Sequence, residues 1–201
     1  AALHQPLMVK RSYQEFSGKA DYLAEMVRQE VFKRYQDDTY TQGIKVYTTI
    51  RQQDQATAYE ALRKGVLEYD RRHGYRGPEG YIDLQKGNTE EELEEALQDI
   101  ADSDDMIPAV VLAANPKGIR AYSKGGAIAK ISGEGLKFAL PYMNDKTALN
   151  RRLRAGSLIH VQKDEKNNWK IVQLPQVEAA FVSASPRNGA IYALVGGFDF
   201  N

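Results

Sequence analysis

The side chains with the widest chemical range here are three histidines, His4, His73 and His160, and they stand far apart in the chain. The sequence has no cysteine, so thiolate nucleophiles, disulfides and Cys-based zinc sites are excluded. The histidines alone give no metal-ligand spacing. His160 falls mid-strand in "LIHVQ", where a lone imidazole is a surface or satisfied residue before it is a ligand. Serine acyl transfer of the Ser-x-x-Lys type needs a lysine one helical turn after the nucleophile to activate it. Every serine in this chain has another residue at that position, and a Ser-x-Asn companion is also missing. Lys146-Thr147-Ala148 stops one residue short of Lys-Thr-Gly. There is no G-x-S-x-G, no P-loop and no G-x-G-x-x-G, and "GGFDF" and "SGEGL" read as glycine-containing turns. The expectation is therefore no catalytic residue, no cofactor and no metal ligand.

What remains is chemistry suited to binding. Tyr122, Phe138, Tyr142 and Trp169 supply aromatic surface, and Lys137, Arg151, Arg152 and Arg154 supply charge. From these, Tyr122, Lys137, Tyr142, Arg151 and Arg152 are the candidate ligand or partner contacts. Against them stands a plainer expectation: Phe138 and Trp169 as core, the arginines as a solvated helix face. The totals limit the ligand. Lys+Arg and Asp+Glu are equal at 27 each in 201 residues, without the basic excess of a nucleic-acid binder. No apolar run is long enough for a membrane span.

The elements that must position these residues are legible from periodicity. After an extended stretch 1–18, Leu23, Met26, Val27, Val31 and Tyr35 repeat at helical spacing and predict a packed stripe. Ile44, Val46, Thr48 and Ile50 alternate with Lys45, Tyr47 and Thr49, which predicts a strand. Ala58, Leu62, Val66 and Tyr69 share one face of a second helix, and Gly74 stops it. Glycine and proline then cluster in "GYRGPEGY", a domain boundary. Thr89 and Glu92 form a capping box before an acidic helix whose buried stripe is Leu93, Ala96, Leu97 and Ile100.

From Met106 to Pro175 the texture is β-rich. "IPAVVLAAN", "GIRAYSK", "GAIAKIS" and "GLKFAL" read as strands, "DKTALNRRLRAG" as helical or irregular, and "GSLIHVQKD" with "NNWKIVQLP" as a hairpin. Five or six short strands with one interposed helix fit a small closed or nearly closed barrel of the OB type. The last segment gives two strands around Arg187-Asn188-Gly189, apolar on both faces, as in a sheet covered on both sides. The fold class expected is α+β with an all-β insert: 1–18 linker, 19–75 helix-strand-helix of a host domain, 76–175 an OB-like insert, and 176–201 the host's returning hairpin.

The flanks carry a resemblance. "ADYLAEMVRQEVFKRY" and "YTQGIKVYTTI", then "HGYRGPEGYIDL", "RAGSLIHVQ" and "VEAAFVSASPRNGAIYALVGGFDFN" resemble, in that order, a segment of class A penicillin-binding proteins of the 1A branch. The resemblance spans about residues 5–201. It implies an OB-like domain inserted into the first elements of a transpeptidase domain, ending before that family's Ser-x-x-Lys helix. It further implies a bifunctional parent, a peptidoglycan glycosyltransferase and serine-type DD-transpeptidase. That parent would sit on the periplasmic side of the inner membrane, held by an N-terminal anchor absent here. Implied partners are the parent's other domains, an outer-membrane lipoprotein activator and peptidoglycan, with no nucleic acid. The expected role is inter-domain spacer and docking site. The alternative is a free-standing OB-type binding module for glycan or single-stranded nucleic acid.

Overall fold

The structure, a computed structural model, describes residues 19–84 and 88–200. The 1–18 linker and His4 lie outside the described residues. In chain order the elements are helices α1 (Asp21–Tyr35), α2 (Asp38–Thr41) and α3 (Gln52–Arg72), strand β1 (Gly80–Tyr81) and helix α4 (Glu90–Gln98). Strands β2 (Ile107–Asn115), β3 (Gly118–Ser123) and β4 (Ile128–Ile131) follow, then helix α5 (Glu134–Lys137) and a 3-10 turn at Leu140–Met143. Strands β5 (Ser157–Lys163), β6 (Trp169–Val172), β7 (Phe181–Ala184) and β8 (Ile191–Val195) complete the set. The chain divides into two compact units: residues up to Gly65 with those from Glu178, and Val66–Val177.

In the first unit β7 and β8 form an antiparallel pair, with Phe181 opposite Val195 and Ser183 opposite Ala193. Ala193 and Val195 are buried, but Phe181 and Val182 are 43% and 58% exposed. The expectation of a sheet covered on both faces is not met: the sheet has two strands, and β7 has no second neighbour among the described residues. The strand expected at 44–50 is not one either. It meets β8 at two points, Thr49 Oγ1 donating to Ile191 O (2.7 Å) and Arg51 N to Tyr192 O (2.9 Å). Two isolated bonds make no ladder, and Tyr47 stands 90% exposed. Helix α1 buries none of its side chains, and its predicted stripe leaves Met26 and Tyr35 about half exposed.

Order in this unit comes instead from polar groups. Gln55 is fully buried, donates to Lys19 O (2.9 Å) and Leu194 O (2.8 Å), and accepts from Leu194 N (2.8 Å). Arg63 lies over the Phe198 ring at 3.9 Å, donates to Phe198 O and pairs with Asp199 at 2.9 Å. Tyr22 donates to Asp199 O and packs edge-on against Phe200.

The second unit is a six-stranded antiparallel sheet in the order β1-β5-β2-β3-β4, with β6 also pairing β5. β1 takes the start of β5 (Gly80 opposite Leu158) and β6 takes the rest (His160 opposite Val172). Strands β2 and β5 bury both faces because two cores use them. Ala109, Val111, Ile159 and Val161 join Ile119, Ala121, Ile131 and Ile171 inside. Val110 and Leu158 point the other way, to Leu93, Leu97 and Tyr122 beneath α4. Helix α4 begins with the capping box expected from Thr89 and Glu92. It is held from outside as well: Glu94 accepts from Gly125 N (3.0 Å) and Tyr122 OH (3.3 Å), and Lys124 Nζ donates to Ile100 O (2.8 Å).

"GLKFAL", expected as a strand, is helix α5 running into a turn. Its physical reason is Gly135, where a Cβ would stand 2.3 Å from Trp169 O. Only a glycine lets the short helix press against the β6 backbone, in the gap where no ladder joins β4 to β6.

Candidate functional site

The stretch after α3 and the turn after α5 meet in an aromatic trio. Tyr75 follows the Gly74 stop and is buried, with Phe138 and Tyr142 edge-on to it at 5.4 and 5.3 Å. Burial, with Glu79, Tyr81 and Tyr142 nearby, pushes the Tyr75 phenol well above its ordinary value. Two guanidiniums cover the outer rings: Arg71 lies 5.2 Å from the Phe138 centroid and Arg151 5.3 Å from that of Tyr142. Arg151 also donates to Tyr142 OH at 2.9 Å and to Arg76 O at 3.4 Å.

Of the residues singled out from sequence, the structure brings Tyr142, Arg151 and Arg152 onto this one turn. Arg152 is committed within it, donating to Thr147 O and pairing with Asp145 at 3.0 Å. Lys137 stands on α5 in an exposed pair with Glu134. Tyr122 is elsewhere, 4% exposed in the core under α4, so it offers no surface to a partner. Phe138 and Trp169 pack partly buried against the main core. The arginines 151, 152 and 154 sit in turns and loop, not on a helix face. His160 is a satisfied core residue: fully buried, Nδ1 2.7 Å from Glu79 Oε1 and Nε2 3.5 Å from Ala101 O.

Beside the trio lies a group that sequence reading missed. Asp70, near the end of α3, accepts from Arg76 Nη1 (2.7 Å), Gln173 Nε2 (2.7 Å) and Gln176 N (3.3 Å). Arg76 in turn donates to Leu174 O, and its N–H to Gln173 Oε1 (3.0 Å). Gln173 completes the ring with Gly74 O at 3.0 Å. The segments by which the chain enters and leaves the sheet, 70–76 and 173–176, are thus tied together. A clue was present: Asp70 continues the series Ala58, Leu62, Val66 at intervals of four, a carboxylate on a buried stripe. Gln173 has no local signal at all.

Among the described residues no group of three or more His, Cys, Asp or Glu could hold a metal ion. No helix among them is long and apolar enough to cross a membrane. The aromatic trio thus lies against two guanidiniums, and Arg151 joins it to the Asp70 group through Arg76 O.

Known proteins agree with this architecture. The model of the penicillin-binding protein OB-like domain matches residues 75–177. Penicillin-binding protein 1A of Neisseria cinerea is 41% identical over 202 residues, covering all of this chain and 25% of that protein. The Escherichia coli K12 protein of the same name is 38% identical, covering 93% of this chain and 23% of its own. The crystal structure of penicillin-binding protein 1A from Haemophilus influenzae superposes with a TM-score of 0.73 at 33% identity, over 89% of this chain and 26% of that one. The chain spans about a quarter of the length of the curated relatives it matches. An antiparallel sheet with an α4-type cover, a family model over more than half the chain and a matching solved fold lead to one conclusion: the chain belongs to the penicillin-binding protein family, in its 1A branch, and carries that family's OB-like domain.

Proposed function

We propose that this chain is a non-catalytic part of a bifunctional cell-wall synthase, a peptidoglycan glycosyltransferase joined to a serine-type DD-transpeptidase and a target of β-lactams. Such an enzyme works on the periplasmic face of the bacterial inner membrane. Residues 76–175 act as an OB-like insert, spacing the parent's other domains and offering a docking site. The partner fitted to that site is an outer-membrane lipoprotein activator, with peptidoglycan as a second ligand. Residues 19–75 and 176–201 supply the first transpeptidase elements.

One observation supports the spacer and docking role above others: Asp70, Arg76 and Gln173 tie the two connections of the sheet at a single place. A module closed at its base holds its own shape and presents its surface independently of what lies beyond the connections. Two measurements test the reading. Incubated with a fluorescent penicillin, the chain stays unlabelled, and stoichiometric covalent labelling would sink the non-catalytic assignment. Titrated with a lipoprotein activator, the isotopically labelled chain shows amide shifts within 76–175. Their absence with activator and with peptidoglycan fragments leaves a spacer alone.

A further inference from the structure

Asn188-Gly189 is the one Asn-Gly pair in the sequence, and it stands exposed in the turn between β7 and β8. An asparagine and the peptide that follows it can react with each other. The next residue's nitrogen attacks the side-chain carbonyl carbon and closes a five-membered ring. A bulky next residue, or a side chain committed elsewhere, prevents this. Here the next residue has no side chain, its φ is +71°, and nothing lies within 4 Å of where a Cβ would stand. The Asn188 side chain is also turned toward that peptide: its Oδ1 accepts from Ala190 N at 3.2 Å, folding back across Gly189. The same bond sets an N–H on the oxygen that gains charge as the ring closes, which stabilises the developing oxyanion. Nδ2, the group that must leave, donates no hydrogen bond among the described residues.

The other asparagines lack this combination. Asn115 precedes Pro116, whose nitrogen has no proton to give up. Asn144 is committed through both ends of its amide, Nδ2 donating to Pro141 O (2.7 Å) and Oδ1 accepting from Lys146 N and Thr147 N. Asn167 and Asn168 are followed by Asn and Trp. One restraint acts at Asn188: Gly189 N donates to Ser185 O at 2.9 Å and must release it to attack. The sheet behind that turn has only two strands, so opening its tip is a local event and does not require the domain to unfold.

We propose that Asn188 is a site of spontaneous covalent modification, deamidation through a cyclic imide formed with Gly189. The Gly189 nitrogen loses its proton to hydroxide and bonds to Asn188 Cγ. The Cγ–Nδ2 bond breaks, and ammonia leaves with a proton taken from water. A second water then opens the ring. Attack at the former side-chain carbonyl gives aspartate, and attack at the former backbone carbonyl gives isoaspartate. Nothing is oxidised or reduced; the balance is one water consumed and one ammonia released. Aspartate leaves the chain path unchanged and sets a carboxylate beside Arg187. Isoaspartate carries the chain through Cβ and adds one carbon to the path before Gly189. The two bonds that close the turn, Gly189 N to Ser185 O and Ser185 N to Ala190 O (2.8 Å), both span that added atom and are displaced by it.

The test incubates the full chain in heavy-oxygen water at mildly alkaline pH and follows it by peptide mass spectrometry. Conversion is expected at Asn188 before any other asparagine, with uptake of heavy oxygen and a rate that rises with pH. An isoaspartate-specific methyltransferase is expected to label the product at position 188 and to leave the Asn188→Ser variant unlabelled there. Hydrogen exchange at the Ser185 amide is expected to quicken in the isoaspartyl chain. A free peptide of residues 185–190, which lacks the folded turn, sets the time scale. Three results overturn the proposal: Asn188 intact in the chain after the free peptide has converted, another asparagine converting first, or aspartate formed without isoaspartate, which is direct hydrolysis without a ring.

Discussion

Asp70 and Gln173 stand 103 residues apart in the chain and meet in a 2.7 Å buried hydrogen bond. Asp70 also carries the Arg76 ion pair and is only 7% exposed. Asp70→Ala therefore strands a guanidinium and an amide at once. The expected cost is about 3 kcal/mol, seen as an earlier midpoint in urea unfolding of residues 66–177. Asp70→Asn keeps one acceptor oxygen, enough for Arg76 and Gln176, but sets its NH2 against Gln173 Nε2, and should cost less than Asp70→Ala. A midpoint unchanged in both variants would mean the tie contributes nothing.

Gly135 makes a second prediction. A Cβ there meets Trp169 O at 2.3 Å and Lys170 Cα at 3.1 Å, both backbone atoms that cannot swing aside. Gly135→Ala should push α5 off β6 and cost about 1–3 kcal/mol, with amide shifts along 169–172. Gly65, which a Cβ would leave without a contact, is the control: Gly65→Ala lies inside helix α3 and should stabilise slightly.

In the first unit the fully buried Gln55 does the work that a third strand would do, binding Lys19 O and both polar groups of Leu194. Gln55→Leu keeps the volume and loses all three bonds. A loss of about 2–3 kcal/mol is expected, with faster hydrogen exchange at Leu194. Gln55→Glu, which keeps the acceptor for Leu194 N, should retain protection at that one amide.

Alkaline pH gives a fourth. The Tyr75 phenol is raised from its ordinary value of 10.0 chiefly by burial. A group whose folded value is raised holds its full contribution below the unfolded value and loses it as pH climbs toward the folded one. The OB-like domain should therefore weaken above pH 10, where the Tyr75 phenol ionises late in the folded state. Phenolate absorbance of Tyr75→Phe should show the late step missing.

How far these features were readable in the sequence depends on how local their causes are. The capping box at Thr89 and Glu92, the α3 stop at Gly74 and the hairpins near Asn167 and Gly189 all arise within a few residues, and all were legible. The Asp70 tie was not, because its partners lie a whole domain away and only the chain's return brings Gln173 back. "GLKFAL" misled because its alternation is strand-like, while the close approach at Gly135 that decides the matter is tertiary. The 44–50 segment has strand composition without a strand's partner. In the candidate site, Tyr142 and Arg151 were named from residue type alone. Their stacking with Arg71, Tyr75 and Phe138 could not be, since it joins the end of one helix to a turn more than sixty residues later. Tyr122 was misplaced for the same reason: an aromatic in a strand faces whichever layer covers it, and here α4 does.

The tie at Asp70 has a mechanical meaning. Residues 70–76 and 173–176 are joined side by side, so tension drawn through the two connections would meet Asp70, Arg76 and Gln173 before it reached the sheet. The six strands of the sheet lie between those two connections. A sheet whose two ends are pinned to each other keeps its shape better when those ends are pulled than one whose ends are free.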